Sequence, residues 1–186
     1  GVMPFQAAMA GGKTVHTLFS GPAAGAEAAA YFAADDAKRG LVTLDMGGTS
    51  CDIAFIEGGA TLGVTEGEVA RRRLDVPALD LTTISAGGGS IAWFDGGGLL
   101  AVGPKSAGAD PGPVCYGLGG ERVTVTDANV LLGRIDPEGF AGGTMTLDAD
   151  AASAAIMRDV GAAMALDTSA AALGVVEIVD ENMATA

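Results

Sequence analysis

Between its forty-fifth and fifty-second residues the chain reads Asp45-Met46-Gly47-Gly48-Thr49-Ser50-Cys51-Asp52, with carboxylates enclosing glycines and hydroxyls. These residue types suit a phosphate group and the metal that accompanies it. Without Cβ atoms, Gly47 and Gly48 let the backbone take positive φ and bring free N–H donors up to phosphate oxygens. Thr49 and Ser50 add hydroxyl donors. Asp45 and Asp52 flank the loop as candidate ligands for a phosphate-bound Mg²⁺, reached through water. Aspartate and glycine are also common turn residues, so an ordinary hairpin is the competing reading. The phosphate reading is favoured by a loop longer than a minimal two-residue hairpin requires, and by polar side chains gathered between apolar strands.

The elements that must hold this loop are strands. Leu41 to Leu44 and Ile53 to Ile56 read as apolar strands, so Asp45 to Asp52 is the turn of a β-hairpin. Ala60 to Thr65 continues as a third strand after Gly58-Gly59, which makes an antiparallel meander. Upstream, Val15 to Leu18 reads as a strand, and Ser20-Gly21-Pro22 opens a helix expected to run to about Ala37. Its alanines permit close packing on a sheet, with Tyr31 and Phe32 as the larger contacts. The unpaired N–H groups at Ser20-Gly21 could also receive an anion, although plain capping is the competing role.

A second glycine-rich stretch follows. Thr82 to Ile84 reads as a strand, Gly87-Gly88-Gly89-Ser90 as a loop, and Ile91 to Asp95 as a strand or a helix start. Ordering each glycine costs up to ~1 kcal/mol relative to alanine, which implies a compensating close approach of the backbone to a ligand, or packing under another element. Leu99 to Val102 is a short strand, and Asp110-Pro111-Gly112-Pro113 is a fixed loop. Cys115 reads as a buried structural thiol rather than a nucleophile, since no neighbouring base lowers its pKa. Val123 to Val125 is expected as a strand, and Thr126 to Leu132 as a short helix ended by Gly133. The last third holds two alanine-rich helices, Asp150 to about Leu166 and Ser169 to Ala186, joined at Asp167-Thr168. Their apolar faces are Ile156, Val160, Met164 and Leu173, Val176, Ile178, Val179. Arg71-Arg72-Arg73 reads as a solvated face.

Composition narrows the field. The chain has 186 residues, 49% hydrophobic, enough apolar matter for a core. Glycine supplies 30 of them, well above the usual ~7% share. The formal net charge of −13 opposes a nucleic-acid backbone or an anionic membrane as partner. His16 is the sole histidine and Cys51 and Cys115 the only cysteines, which rules out a multi-histidine metal site and a disulfide framework. No leader and no apolar run of the ~18 residues needed to span a bilayer is read, so a cytoplasmic location is expected. The start at Gly1-Val2-Met3-Pro4 and the final helix without a stop signal read as a piece of a longer chain.

Five stretches in order carry a resemblance: Leu18-Phe19-Ser20-Gly21-Pro22-Ala23-Ala24-Gly25, Asp45 to Asp52, Ser85 to Ala92, Val102 to Gly117, and Val125-Thr126-Asp127-Ala128-Asn129. Together they resemble the hydantoinase A/5-oxoprolinase family over nearly the whole chain. The resemblance implies an α/β fold like that of the actin, Hsp70 and sugar-kinase ATPases (ribonuclease H-like), here as one truncated lobe with a β-meander and flanking helices. Residues 1–186 would form a single partial hydantoinase A domain, with the N-terminal lobe and a later adenosine-binding segment lying outside. It further implies an ATP-dependent enzyme that opens cyclic amides such as hydantoins or 5-oxoproline, with ATP phosphorylating the amide or carbonyl oxygen. In that scheme Asp45 and Asp52 serve catalysis and hold Mg²⁺ or Mn²⁺. Gly47, Gly48, Thr49 and Ser50 hold the phosphate, while Gly87, Gly88, Gly89, Ser90 and Asp110 line the far side of the cleft.

The implied partners are ATP, a small cyclic amide or ketone, the missing lobe and a hydantoinase B-type subunit. Two alternatives are a subunit of an ATP-dependent ketone carboxylase and a non-catalytic interface module. A sugar or acetate kinase fits less well, because it lacks the Gly103 to Gly117 segment. Thr82 stands where many relatives of that family carry histidine. With half a cleft, the isolated chain is expected to show no turnover.

Overall fold

The computed structural model describes residues 9, 11–12, 14, 20–64, 67–69, 72–74 and 78–186. The strand expected at Val15 to Leu18, and with it His16, Thr65 and Arg71, lie outside the described residues. Two compact units divide the chain, one made of residues 1–45 and 52–83, the other of residues 46–51 and 84–186.

In the first unit, helix α1 (Ser20–Ala33) precedes a sheet in which β2 (Cys51–Glu57) pairs with β1 (Leu41–Met46), β3 (Ala60–Thr61) and β8 (Leu81–Ile84). Ala54 and Ile56 are buried on one face of β2, and Cys51 and Ile53 on the other, where the cover ends at the exposed Phe55. The β2–β3 turn is Gly58-Gly59, with φ of 61° and 86°, the backbone that a two-residue hairpin demands and glycine supplies. The third strand is shorter than expected. Leu62 N–H still reaches the Phe55 carbonyl of β2 at 3.3 Å, but its own carbonyl accepts from Asp80 N–H at 2.9 Å, and β4 (Gly63–Val64) pairs with β7 (Ala78–Leu79). A further hairpin joins β5 (Gly67–Val69) to β6 (Arg72–Leu74), so Arg72 and Arg73 belong to a strand.

Helix α1 differs from its expected form at both contact and end. Tyr31 and Phe32 are 79% and 82% exposed and stack edge-to-face on each other at 5.4 Å. Ala26 is the residue α1 buries, because a methyl side chain lets a helix approach a sheet closely where an aromatic ring would hold it off. The α-helix stops at Ala33, where Ala34 turns to φ 45°, rather than at Ala37.

The second unit is built on a hairpin and helices. β9 (Ser90–Phe94) runs antiparallel to β10 (Leu100–Ser106), longer than the Leu99 to Val102 strand expected. Helix α2 (Val125–Leu131) is followed by α3 (Ala149–Ile156), which continues through a π turn at Met157–Gly161 to Met164, and by α4 (Thr168–Thr185). Asp148 and Asp167 start the last two by accepting from Ala151 and Ala170 N–H, each at 2.8 Å. Helix α4 is the spine, burying Ala171, Ala172, Val175, Val176 and Val179 against Val123, Val125, Ile156 and Val160. Each fully buried valine contributes roughly 1.5–3 kcal/mol.

Met164 and Leu173, expected in the core, are 43% and 41% exposed, because alanine and valine fill the close helix–helix contacts. Val123 to Val125 is not a strand. Only Thr124 bridges to Ile91, since the same residue caps α2 and the chain is already turning into the helix. Among the described residues no single helix is long and apolar enough to cross a membrane.

Candidate functional site

The loop between β1 and β2 is tighter than its sequence suggests. The strands run on to Met46 and Cys51, and Gly47 N–H donates to the Ser50 carbonyl at 2.9 Å, which leaves Gly48 and Thr49 at the tip. The expectation of an extended turn from Asp45 to Asp52 is therefore corrected, since strand pairing absorbs both ends. Gly47 and Gly48 are absent from the positive-φ backbone positions as well. Their lack of side chains serves another purpose.

Directly behind the tip stands the Gly87–Gly89 run. Gly88 N–H donates to the Gly47 carbonyl at 3.0 Å and Gly89 N–H to the Gly48 carbonyl at 2.6 Å. A Cβ on Gly87 would fall 2.7 Å from Gly47 O and Thr49 N, and one on Gly89 would fall 2.8 Å from Gly48 O. Real Cβ atoms do not come so near to backbone, so only glycine permits this contact. The close approach is backbone to backbone.

A further layer holds the run in turn. Thr126 donates to the Gly88 carbonyl through both its N–H, at 2.8 Å, and its hydroxyl, at 2.9 Å. Ala107 N–H reaches Gly89 O at 2.8 Å. Gly87 N–H donates to the buried Ser90 hydroxyl at 2.9 Å, and Ser90 N–H to Gly87 O at 3.0 Å. Every N–H from Gly87 to Ser90 is thus engaged inside the protein. By contrast, the N–H groups of Gly48, Thr49 and Ser50 donate to no acceptor among the described residues, and Gly48 and Thr49 are exposed. The backbone donors left without an acceptor are those of the tip and Ser50.

Asp127 anchors this support. It is fully buried and accepts from Thr124 N–H and Oγ1, both at 2.8 Å, from Cys115 N–H at 2.7 Å and from Val114 N–H at 3.3 Å. A buried carboxylate is tolerable when donors surround it in this way. Through Thr124 it closes a capping box at the start of α2, the helix whose Thr126 grips Gly88. Burial raises the pKa of the Cys115 thiol strongly, and the nearby negative charge and hydrogen bonding of Asp127 push it the same way. Cys115 is the inert structural thiol that the sequence suggests.

The carboxylates belong to the first unit. Asp45 and Asp52 line a cavity of about 420 Å³ together with Pro22, Gly25 and Ala26 of α1 and residues of β1. Asp52 accepts from the Thr83 hydroxyl at 2.5 Å, while Asp45 is exposed, its Oδ2 3.4 Å from where a Cβ on Gly25 would lie. No group of three or more His, Cys, Asp or Glu residues among the described residues could hold a metal. Asp45 and Asp52 are two carboxylates at one cavity, too few for an all-protein cage, and a Mg²⁺ ion held there would keep several of its waters. Asp110 is exposed in the turn after β10, and no hydrogen bond ties it to the loop.

Ser106 belongs with the loop, although its sequence context does not single it out. Ala92 pairs with Val102 but Ser90 with Ser106, so β10 bulges at Gly103-Pro104-Lys105. Gly103 takes φ 76°, and a Cβ there would press on the Ser85 carbonyl at 2.9 Å. The bulge delivers the Ser106 hydroxyl to 3.4 Å from both Thr49 Oγ1 and the Gly48 carbonyl. Trp93 braces it, its indole Nε1 donating to Gly103 O at 2.6 Å. A proline after a glycine within an apolar run was the available sign of such a bulge.

Mixed α/β units with antiparallel pairing and a glycine turn buttressed by a second glycine run define the class of this molecule. The chain belongs to the hydantoinase/oxoprolinase family, whose model matches residues 1–186. It is 41% identical to the caprolactamase subunit alpha of Pseudomonas jessenii over 171 residues, 92% of this chain and 25% of that one. To the acetophenone carboxylase gamma subunit of Aromatoleum aromaticum it is 42% identical, over 91% of this chain and 24% of that one.

Among solved structures, it matches the ATP-dependent caprolactamase of Pseudomonas jessenii with a TM-score of 0.80 and 42% identity, covering 89% of this chain and 24% of that one. Nucleotide-free acetone carboxylase matches with a TM-score of 0.78 and 32% identity, covering 88% and 23%. The expected family and α/β fold are both found. The chain spans about a quarter of the length of these relatives.

Proposed function

We propose that this chain is the phosphate-holding part of an ATP-dependent enzyme that opens cyclic amides. The observation that carries the reading is the Gly48–Ser50 tip, whose N–H donors have no acceptor among the described residues while the backbone beneath them is fixed by Gly88 and Gly89. Donors fixed in advance stabilise developing phosphoryl charge without reorganising, which is how a protein lowers the barrier to phosphoryl transfer. Gly48, Thr49 and Ser50 contact the phosphate in this reading, and Gly47 with Gly87, Gly88, Gly89 and Ser90 hold the tip from behind. Asp45 and Asp52 hold a magnesium ion, partly through water. The ion supplies charge neutralisation for the transferring group when bound. Asp110 has no part in this scheme.

Caprolactamase and 5-oxoprolinase both stand among the similar proteins, which supports a cyclic amide as the co-substrate. A second reading, part of an ATP-dependent ketone carboxylase, is supported by the likeness to the acetophenone and acetone carboxylases. Titration of Mg²⁺-ATP into this chain tests the phosphate role, with Asp45→Ala as control. Binding that weakens in the variant supports it, and no heat and no amide shift at Gly48–Ser50 would overturn it. ATP hydrolysis in response to caprolactam or 5-oxoproline by this chain alone would overturn its description as one part of a larger site.

A further inference from the structure

We propose that Ser106 is a binding residue for the same phosphoryl group, with its hydroxyl standing 3.4 Å from that of Thr49. This rests on the phosphate reading above and extends it to a residue 57 positions away from Thr49. The Ser106 oxygen accepts from Gly108 N–H at 3.1 Å, so the residue is fixed from behind by the backbone. Its proton is weakly committed. The two acceptors within reach, Gly48 O and Thr49 Oγ1, both stand at 3.4 Å, beyond the usual length for an O–H···O bond. A hydroxyl held in place with a loosely used proton is suited to turn towards an incoming anion.

Two further observations indicate that the position is built rather than incidental. A Cβ on Gly89 would lie 2.7 Å from Ser106 Oγ, so glycine at 89 clears the space that this hydroxyl occupies. The β10 bulge exists at the cost of ladder pairing between Val102 and Ser106, and it is what brings residue 106 to the loop. The Ser106 and Thr49 hydroxyls thus stand beside a turn whose Gly48, Thr49 and Ser50 N–H groups have no acceptor among the described residues. Such a set matches a phosphoryl or other tetrahedral oxyanion, which carries several acceptor oxygens.

Magnesium tripolyphosphate is the probe, because it presents phosphoryl groups without requiring an adenosine site. Titrated into the unsubstituted chain and into Ser106→Ala, it should bind the variant about tenfold more weakly, the loss of one hydrogen bond to a charged group, with an unchanged thermal midpoint. Equal affinity in a folded Ser106→Ala overturns the proposal and leaves the phosphate reading intact. No binding of tripolyphosphate or ATP by the unsubstituted chain overturns both. If Ser106→Ala melts early, the unsubstituted chain decides: the amide resonances of residues 106–108 should move with those of Gly48–Ser50 during titration. Movement of the loop alone overturns the role of Ser106.

Discussion

The molecule contains two glycine stretches of similar appearance, Gly47-Gly48 and Gly87-Gly88-Gly89, and they do opposite things with their backbone. In the first, the carbonyls are tied down from behind while the N–H groups of the tip have no acceptor among the described residues. In the second, every N–H is used and two of the three glycines sit where a methyl group would strike backbone. Glycine content alone therefore does not identify a ligand-facing loop. What identifies it is which polar backbone groups remain after the protein has satisfied its own.

Alanine substitution should separate the two stretches most strongly. Gly87→Ala is expected to lose roughly 3 kcal/mol or more in urea unfolding, because its Cβ meets fixed backbone atoms rather than a yielding side chain. Gly48→Ala, with nothing within 4 Å of the new Cβ, should stay within about 1 kcal/mol. Similar losses at the two positions would erase the contrast.

The anchor behind the second stretch has a pH signature. With its pKa raised by burial and by Asp127, the Cys115 thiol stays protonated in the folded chain after the unfolded chain's thiol begins to ionise near pH 9.0. The unfolded state sheds its proton first. Stability is therefore insensitive to this group below that pH and falls above it, by up to about 1.4 kcal/mol per pH unit. Unfolding free energies measured from pH 8 to 10 should show this slope, and Cys115→Ala should flatten it. An unchanged slope in the variant would remove Cys115 from the account. A modest effect is expected from Thr126→Val, which deletes one hydroxyl bond to Gly88 while keeping the N–H bond. It should destabilise by about 1 kcal/mol and raise amide exchange at Gly88 and Gly89.

Much of this arrangement was legible in the sequence because the signals are local. The β1–β2 hairpin, the Gly58-Gly59 turn, the stop at Gly133 and the aspartate starting α4 each follow from a few adjacent residues. Tyr31 and Phe32 were misplaced because exposure depends on what packs against a helix, and alanine wins where the approach is close. The tightness of the Asp45 to Asp52 turn was hidden because polar residues can pair in a ladder as well as loop out of it. Ser106 was hidden for a longer-range reason. Its role depends on strand register and on a loop 57 residues away, neither of which is written in its own neighbourhood. The family resemblance was legible because its motifs recur in order along the chain.

One consequence follows from the indole that braces the β10 bulge. Trp93 is the only tryptophan in the chain, and its ring nitrogen is bound to Gly103, the residue on which the bulge turns. Its fluorescence is therefore a built-in gauge of the strand that carries Ser106. A spectral shift on adding an anion would report movement of that strand, read from the side chain that is bound to the bulge itself.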